Sequence, residues 1–175
     1  MVIDLSELLS LRDKVKSVEI PLEMDEFSTK LGSYKIIDKR PMTVKFTGLG
    51  KKKVNMEAEL FVVLLMPCDR CLEDVKQEIH ISTSKEINLG DTDGAQRDVL
   101  DEMTYLDGMS FDAEKFAYGE ILMNLPMKIL CSENCRGICN RCGMNLNHGD
   151  CGCDTTEIDP RMAKAMEVFK SFKEV

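Results

Sequence analysis

The sequence contains no apolar run of membrane-spanning length. Its longest run, Leu60–Met66, is about a third of the roughly 20 residues that a membrane helix needs. The first residues, Met1–Glu7, lack the basic start and the unbroken apolar segment of a secretory signal. Internal repeats and low-complexity tracts are also missing. We therefore expect a globular protein that does not contact a membrane and stays in the cytoplasm, where thiols are kept reduced.

Positive charge is in deficit. The chain has 23 Lys and Arg against 31 Asp and Glu, which gives a formal net charge of -8 at pH 7. Proteins that bind nucleic acids usually present a basic face, so this balance argues against broad attraction to phosphate. Any contact with RNA would have to be local.

Cysteine, in contrast, is abundant and has the spacing of metal ligands. Six of the 8 cysteines lie between positions 131 and 153. The segment Cys139-Asn-Arg-Cys142-Gly143 places two thiols in one tight turn, as in a zinc knuckle, and the glycine lets the backbone fold back. The segment Cys151-Gly-Cys153 can complete the tetrahedron. In a reducing compartment such clusters are more often metal ligands than disulfides, so these four thiols form one predicted site.

The other four cysteines form a second predicted site, which would join distant parts of the chain: Cys68, Cys71, Cys131 and Cys135. The pairing stays open, because Cys131 or Cys135 could exchange with a knuckle ligand and His148 could substitute for one. Buried structural thiols without metal are the alternative. If every thiol belongs to a four-ligand shell, no position is left for water, which favours one or two structural zinc ions.

Other chemistries of the cysteines fit less well. Iron could occupy four thiolates, but no flavin, nicotinamide or second redox motif accompanies them. A redox pair at Cys68 and Cys71 would normally lie between a strand and a helix, whereas here another strand follows. Pro67–Cys71 also matches half of a zinc deaminase signature, but neither His80 nor His148 has a glutamate two residues on. We expect neither catalytic residues nor a small-molecule substrate.

Six basic residues are candidate contacts for RNA or for a protein partner. Arg70, Arg136 and Arg141 lie in or beside the thiolate turns, where they first of all offset negative charge. Each zinc bound by four thiolates carries a net charge of -2, so two sites take the whole chain to about -12. Lys51, Lys52 and Lys53 are predicted to form a solvated hairpin tip, with phosphate contact as the lesser expectation.

Before the cysteine block, the pattern predicts an α+β domain in which helices flank an antiparallel sheet. Apolar and polar residues alternate as in half-buried strands over Val18–Ile20, Tyr34–Ile36, Met42–Phe46, Val54–Leu60 and Val75–Leu89. A turn is expected at Gly48–Lys52, and the run Leu60–Met66 predicts a strand buried on both faces. Residues 90–110 read as an exposed connection with one short strand.

Helices are predicted at three places. The first covers residues 4–12 behind Asp4, and the second runs from Ser110 or Asp112 to about Asn124, where Pro126 stops it. Asp159 and Pro160 open a final amphipathic helix. We expect an α+β domain over residues 1–128, and a cysteine-rich metal-binding module with the last helix, packed on the same domain, over 129–175.

The order of the motifs resembles the YceD family. The matching segments are Pro67–Glu73, Leu125–Cys131, Gly137–Asn147, Cys151–Cys153 and Asp159–Arg161, so the resemblance runs over nearly the whole chain. Family members are bacterial and plastid proteins linked to accumulation of large-subunit ribosomal RNA. The matching positions are the eight cysteines with Arg70, Gly143, Asn145, Asn147 and Arg161. One position departs from the family pattern, since Asn140 stands where proline is expected, which loosens the knuckle turn.

The resemblance implies a non-enzymatic factor that helps to make or stabilise the large ribosomal subunit. Its partner would be ribosomal RNA or a large-subunit ribosomal protein. Two alternatives stay open at the level of sequence. One is a protein-interaction adaptor without RNA contact, which the acidic composition favours, and the other is a thiol redox protein.

Overall fold

The computed structural model describes residues 1–9, 14–30, 32–50, 52–88, 105–153 and 162. The chain divides into two compact units. The sheet unit comprises Met1–Pro67 and Asp74–Ile129, and the cysteine unit comprises Cys68–Glu73 and Leu130–Val175. The short loop Cys68–Glu73 thus belongs to the cysteine unit although both neighbouring strands belong to the sheet unit. The expected boundary between an α+β domain ending at residue 128 and a metal-binding module beginning at residue 129 stays a prediction.

The sheet unit is built mainly from antiparallel strands. In chain order its elements are β1 (Val2–Asp4), α1 (Ser6–Leu9), β2 (Val15–Ile20), β3 (Glu26–Thr29), β4 (Gly32–Lys39), β5 (Met42–Gly50), β6 (Lys53–Pro67), β7 (Asp74–Asn88), β8 (Leu106–Asp107), β9 (Ser110–Asp112) and α2 (Ala113–Met123). The larger sheet has the order β2-β5-β6-β4-β3, with β7 on the other edge of β6. The smaller sheet has the order β1-β9-β8.

Strand β6 is the centre of the larger sheet. It pairs with β7 over its whole length, from Lys53 opposite Asn88 to Pro67 opposite Asp74. Its other edge pairs first with β5 and then with β4, and the register with β4 shifts between Ile36 and Asp38. Because β6 is paired on both edges and covered on both faces towards its end, the apolar run that begins at Leu60 is mostly buried, as its composition predicts.

An apolar core fills the sheet unit. Alternate residues of the strands point inward, so Phe46, Met56 and Ile87 are fully buried. Phe111 packs edge-on against Phe46, with ring centroids 5.2 Å apart. It also packs at 5.3 Å against Phe116 of α2, which joins the small sheet and the helix to the larger sheet. Burial of such aromatic side chains is the main stabilising term expected for a unit of this kind.

Helix α2 begins and ends close to the predicted positions. Asp112 is its N-cap, and the Asp112 Oδ1 accepts hydrogen bonds from the backbone N–H groups of Glu114 and Lys115 at 3.2 and 3.3 Å. These bonds outweigh burial and lower the pKa of Asp112. At the other end Asn124 is the C-cap, two residues before Pro126.

The expected fold class is only partly met. The described residues form mostly antiparallel sheet with two helices, and helix is a small part of them. Asp4 lies in β1 rather than in the first helix, and its side chain accepts the N–H of Ser6, where α1 begins. The final helix predicted from Asp159 lies outside the described residues apart from Met162, so the α+β class stays a prediction. No helix among the described residues has the length and apolar character needed to cross a membrane.

Candidate metal centres

Four cysteines from two distant segments meet in one cluster of the cysteine unit, here called the upstream quartet: Cys68, Cys71, Cys131 and Cys135. All four Sγ atoms lie within 4.8 Å of one another. The Sγ atoms of Cys71 and Cys131 are 3.5 Å apart, and those of Cys68 and Cys135 are 3.8 Å apart. Thiolates at about 2.3 Å from a tetrahedral zinc would be roughly 3.8 Å apart, so the spacing fits one ion.

The loop Cys68–Glu73 presents the first two thiols of the upstream quartet. Its ends are held together because the N–H of Cys68 donates to the carbonyl of Glu73 at 2.8 Å. Inside the loop, the N–H of Leu72 donates to the carbonyl of Cys68 at 3.0 Å. From the other segment, the backbone N–H of Cys131 points at the Cys68 sulfur at 3.3 Å. The first two bonds shape the loop, and the third supplies one N–H group to a sulfur.

The remaining four cysteines form the downstream quartet: Cys139, Cys142, Cys151 and Cys153. Their Sγ atoms also lie within 4.8 Å of one another. The knuckle turn closes through two backbone bonds of Cys139, which accepts from the N–H of Gly143 and donates to the carbonyl of Met144, both at 2.9 Å. Gly143 has a φ of 73°, a conformation that favours glycine, which explains the residue after the second thiol. The grouping of the eight cysteines follows the predicted sets.

The thiols of the upstream quartet differ widely in pKa. Burial disfavours the thiolate of Cys68, but the N–H groups of Cys71 and Arg70 outweigh it and lower its pKa to about 6. The N–H of Glu73 favours the thiolate of Cys71, yet burial and the sulfur of Cys131 raise its pKa to about 12. Closely spaced thiolates repel one another, so only part of the group ionises without a cation.

The thiols of the downstream quartet also include one with a lowered pKa and one with a raised pKa. The N–H groups of Cys142 and Arg141 lower the pKa of Cys139 to about 6. Hydrogen bonding with the sulfurs of Cys142 and Cys151 raises the pKa of Cys153 to about 12. A divalent ion would compensate this repulsion and hold all four sulfurs as thiolates. All eight cysteines are free thiols in the structure, so the donor atoms of both quartets suit a soft or borderline metal ion.

Polar side chains surround the upstream quartet. Asn147 donates from Nδ2 to the Cys135 sulfur at 3.3 Å, and this bond lowers the pKa of Cys135. The Arg70 guanidinium donates to the carbonyl of Cys135 at 2.8 Å. His148, considered above as a substitute ligand, instead places its Nε2 2.6 Å from the Glu73 carboxylate. Sequence alone gave no reason to connect Asn147 or Glu73 with the sulfurs, although Asn147 stands at a position of the family pattern.

The six basic residues proposed as partner contacts have different surroundings. Arg136 forms an ion pair with Asp150, and Arg141 is exposed in the knuckle turn. Lys52 is exposed at the hairpin tip, and the Nζ of Lys53 lies 2.6 Å from the Glu86 carboxylate. Lys51 lies outside the described residues. The ion pairs of Arg136 and Lys53 already use part of the positive charge that a phosphate would need.

Together, the sheet unit and the two quartets define a β-rich protein with paired four-cysteine clusters. The family model described as "Large ribosomal RNA subunit accumulation protein YceD" matches residues 56–169, a range that contains every one of these cysteines. This match covers more than half of the chain, and the protein belongs to the YceD family. No solved structure matched the chain.

Three relatives illustrate the similarity. An uncharacterized protein of Mycobacterium tuberculosis is 27% identical over 102 residues, which cover 58% of this chain and 49% of the relative. The uncharacterized protein YlbN of Bacillus subtilis is 28% identical over 68% of each chain. The large ribosomal RNA subunit accumulation protein YCED homolog 1 of Arabidopsis thaliana, a chloroplastic protein, is 24% identical over 62% of this chain and 42% of its own length. The alignment thus spans about half the length of the mycobacterial relative.

Proposed function

We propose that this protein is a non-enzymatic factor that supports assembly of the large ribosomal subunit or accumulation of its RNA. The observation that carries this proposal is the family match over residues 56–169, which spans both quartets. The name of the Arabidopsis relative states accumulation of large-subunit ribosomal RNA, and we extend that role to this chain. The proposed partner is ribosomal RNA or a large-subunit ribosomal protein, which this protein would bind in the cytoplasm.

Each quartet is proposed to hold one structural zinc ion. Cys68, Cys71, Cys131 and Cys135 would bind one, and the downstream quartet the other. The ion would supply a rigid tetrahedral crosslink, and a shell of four protein ligands leaves no position for a reacting water, which is why we propose no enzymatic activity. Elemental analysis of protein purified without added metal should give two zinc ions and no iron per chain. Iron at a similar level would overturn the choice of zinc.

The role in ribosome assembly can be tested in the organism of origin. Depletion of the protein should lower the ratio of large-subunit to small-subunit ribosomal RNA, and expression of the wild-type chain should restore it. A pair of rescue variants separates the metal sites from other effects of substitution in the cysteine unit: Cys142→Ser removes a proposed ligand, whereas Ser132→Ala changes a residue that is not a proposed ligand. An unchanged ratio after depletion would contradict the proposal.

Direct contact with RNA is tested separately. Arg141 and Lys52 are the best placed of the six basic candidates, because both are exposed and no described ion pair uses their charge. Ultraviolet crosslinking to large-subunit ribosomal RNA should weaken for Arg141→Gln and more for its combination with Lys52→Gln. Binding should also fall as salt rises, with a small slope, because few phosphates would be neutralised.

The alternative function, an adaptor that binds a ribosomal protein without touching RNA, is supported by the formal charge of -8. A strongly acidic surface favours basic protein partners over phosphate. Affinity purification after nuclease treatment distinguishes the two. Retention of a basic large-subunit protein together with absent RNA crosslinks would favour the adaptor.

A further inference from the structure

The segment that lies between two ligands of the downstream quartet also contacts the upstream quartet. We call residues 143–150, between Cys142 and Cys151, the bridging loop. The Nδ2 of Asn147 in this loop lies 3.3 Å from the Cys135 sulfur and 4.0 Å from the Cys131 sulfur. One side chain of the bridging loop therefore donates to two thiols of the other site.

A second side chain of the bridging loop reaches the opposite half of the upstream quartet. The His148 Nε2 lies 2.6 Å from one carboxylate oxygen of Glu73. The other oxygen of Glu73 lies 3.8 Å from the Cys71 sulfur. Through this chain of contacts the loop touches the segment that presents Cys68 and Cys71 as well as the segment that presents Cys131 and Cys135.

The bridging loop is fixed to the backbone between the quartets. The Oδ1 of Asn147 accepts the N–H of Arg136 at 2.8 Å, and the N–H of Leu146 donates to the carbonyl of Gly137 at 2.8 Å. Asp150, directly before Cys151, forms an ion pair with the Arg136 side chain. Since Cys142 and Cys151 flank the loop, an ion that binds both of them fixes the ends of the same segment that Asn147 and His148 occupy.

We propose that the two quartets bind metal with positive coupling, and that Asn147 and His148 are the positioning residues that carry it. An ion in the downstream quartet fixes the bridging loop, which then orients the upstream thiols through Asn147 and through the His148–Glu73 contact. The inference rests on the proposed metal binding. Loss of outer hydrogen-bond partners typically weakens metal affinity ~10–100-fold, which sets the size of the expected effect.

Native mass spectrometry of the full chain tests the coupling without any substitution. Metal-free protein is mixed with half the zinc needed to fill both sites. We expect mainly metal-free and two-zinc species, with the one-zinc species below the proportion that independent sites would give. A one-zinc species at or above that proportion overturns the coupling. Failure to bind any zinc would instead contradict the proposed metal binding.

A variant that keeps all eight cysteines tests the positioning residues. In Asn147→Ala combined with His148→Ala, both sites should still fill, but the one-zinc species should rise and a competing chelator should remove upstream zinc at ~10-fold lower concentration. The matched control combines Gln77→Ala with His80→Ala, since both residues lie on β7 of the sheet unit, outside both quartets and the bridging loop. Wild-type coupling in the Asn147 and His148 variant would show that these residues do not carry it.

Reciprocity gives a third test, because the factor by which one ion strengthens the other must be the same in both directions. Cobalt(II) serves as an optical probe, since its absorption reports four-thiolate coordination. Cys142→Ser with Cys151→Ser should weaken cobalt binding upstream ~10-fold or more, and Cys71→Ser with Cys131→Ser should weaken it downstream by a similar factor. Unaltered affinity at the remaining site in both variants overturns the proposal. If either cysteine variant fails to fold, the wild-type titration still decides.

Discussion

The sheet unit and the cysteine unit differ in what lies at their interiors. The sheet unit buries a continuous set of aliphatic and aromatic side chains, with Phe46, Phe111 and Phe116 among those almost without solvent exposure. In the described part of the cysteine unit, the buried side chains of the hydrophobic class are those of four cysteines. Such a segment buries too little apolar surface to offset the entropy of ordering its backbone. One chain therefore combines a unit stabilised by the hydrophobic effect with a unit for which we propose stabilisation by metal–sulfur bonds.

The largest expected effect comes from metal removal. A strong chelator at neutral pH should unfold the cysteine unit, since structural zinc sites contribute on the order of 10 kcal/mol each in small zinc domains. Hydrogen exchange should show loss of protection over residues 130–153 and retained protection over β6 and β7. Added zinc should restore the protection, and added magnesium should not. Full protection of residues 130–153 from hydrogen exchange in metal-free protein would show that the cysteine unit keeps its structure without metal.

A cavity in the apolar core should destabilise the sheet unit and leave the cysteine unit unchanged. Phe111→Ala removes a ring that contacts Phe46 at 5.2 Å and Phe116 at 5.3 Å, and should lower the free energy of unfolding of the sheet unit by about 3–5 kcal/mol. The amount of zinc bound per chain should not change. Urea denaturation followed by circular dichroism measures the first quantity, and elemental analysis the second. A loss of zinc equal to that caused by Cys142→Ser would show that the units are not independent.

Substitution of either of two glycines in the cysteine unit should lower stability by a smaller amount. Both Gly137 and Gly143 have positive φ, of 77° and 73°, but only at Gly137 would an added Cβ lie 3.1 Å from the carbonyl oxygen of Arg70. Gly143→Ala should cost about 1–2 kcal/mol for the left-handed backbone alone. Gly137→Ala should cost more, and should weaken zinc retention against a chelator more strongly. Equal effects of the two variants would contradict the close approach at Arg70.

The smallest expected effect concerns the N-cap of α2. Asp112→Ala should lower the free energy of unfolding of the sheet unit by about 1 kcal/mol, because two backbone N–H groups lose their acceptor. The pKa of Asp112 is lower in the folded protein than the ordinary 3.8, so this contribution is complete above that pH and is lost as pH falls through the folded value. Denaturation of both proteins between pH 7 and pH 3 measures the difference, which should shrink towards the acid end. A difference independent of pH would point to packing instead of the cap.

Much of the sheet unit follows from local patterns. The alternation at Val54–Leu60 and Val75–Leu89 predicts β6 and β7, and Asp112 before an apolar stripe predicts α2. The cysteine grouping was also predictable, because paired thiols two to four positions apart act as units. Within each strand, helix or pair of thiols the determining residues are close together in the sequence, and the two distant pairs of the upstream quartet are the four thiols that remain once the downstream set is assigned.

What the sequence did not reveal depends on pairing between distant segments. Strand β3 has only Phe27 as a fully buried residue, so its alternation is too short to recognise. Strand β1 exists through pairing with β9, in which Val2 lies opposite Asp112. The contact between Glu73 and His148 joins residues 75 positions apart. None of these segments carries a local signal for its partner, so these contacts are visible only in the folded structure.

The position of Cys71 and Cys131 on either side of a long stretch of chain bears on synthesis of the protein. These two residues are 60 positions apart. At roughly 5–20 residues per second, the first pair of thiols leaves the translating ribosome about 3–12 s before its partners. During that interval the hairpin of β6 and β7 can complete its pairing. Its tip then carries only two of the four proposed ligands, Cys68 and Cys71, so thiols of another protein or of a second nascent chain could take the two remaining ligand positions. Zinc bound by the complete upstream quartet would then close a long loop of the chain, which restricts the unfolded chain in the same way as a covalent crosslink does.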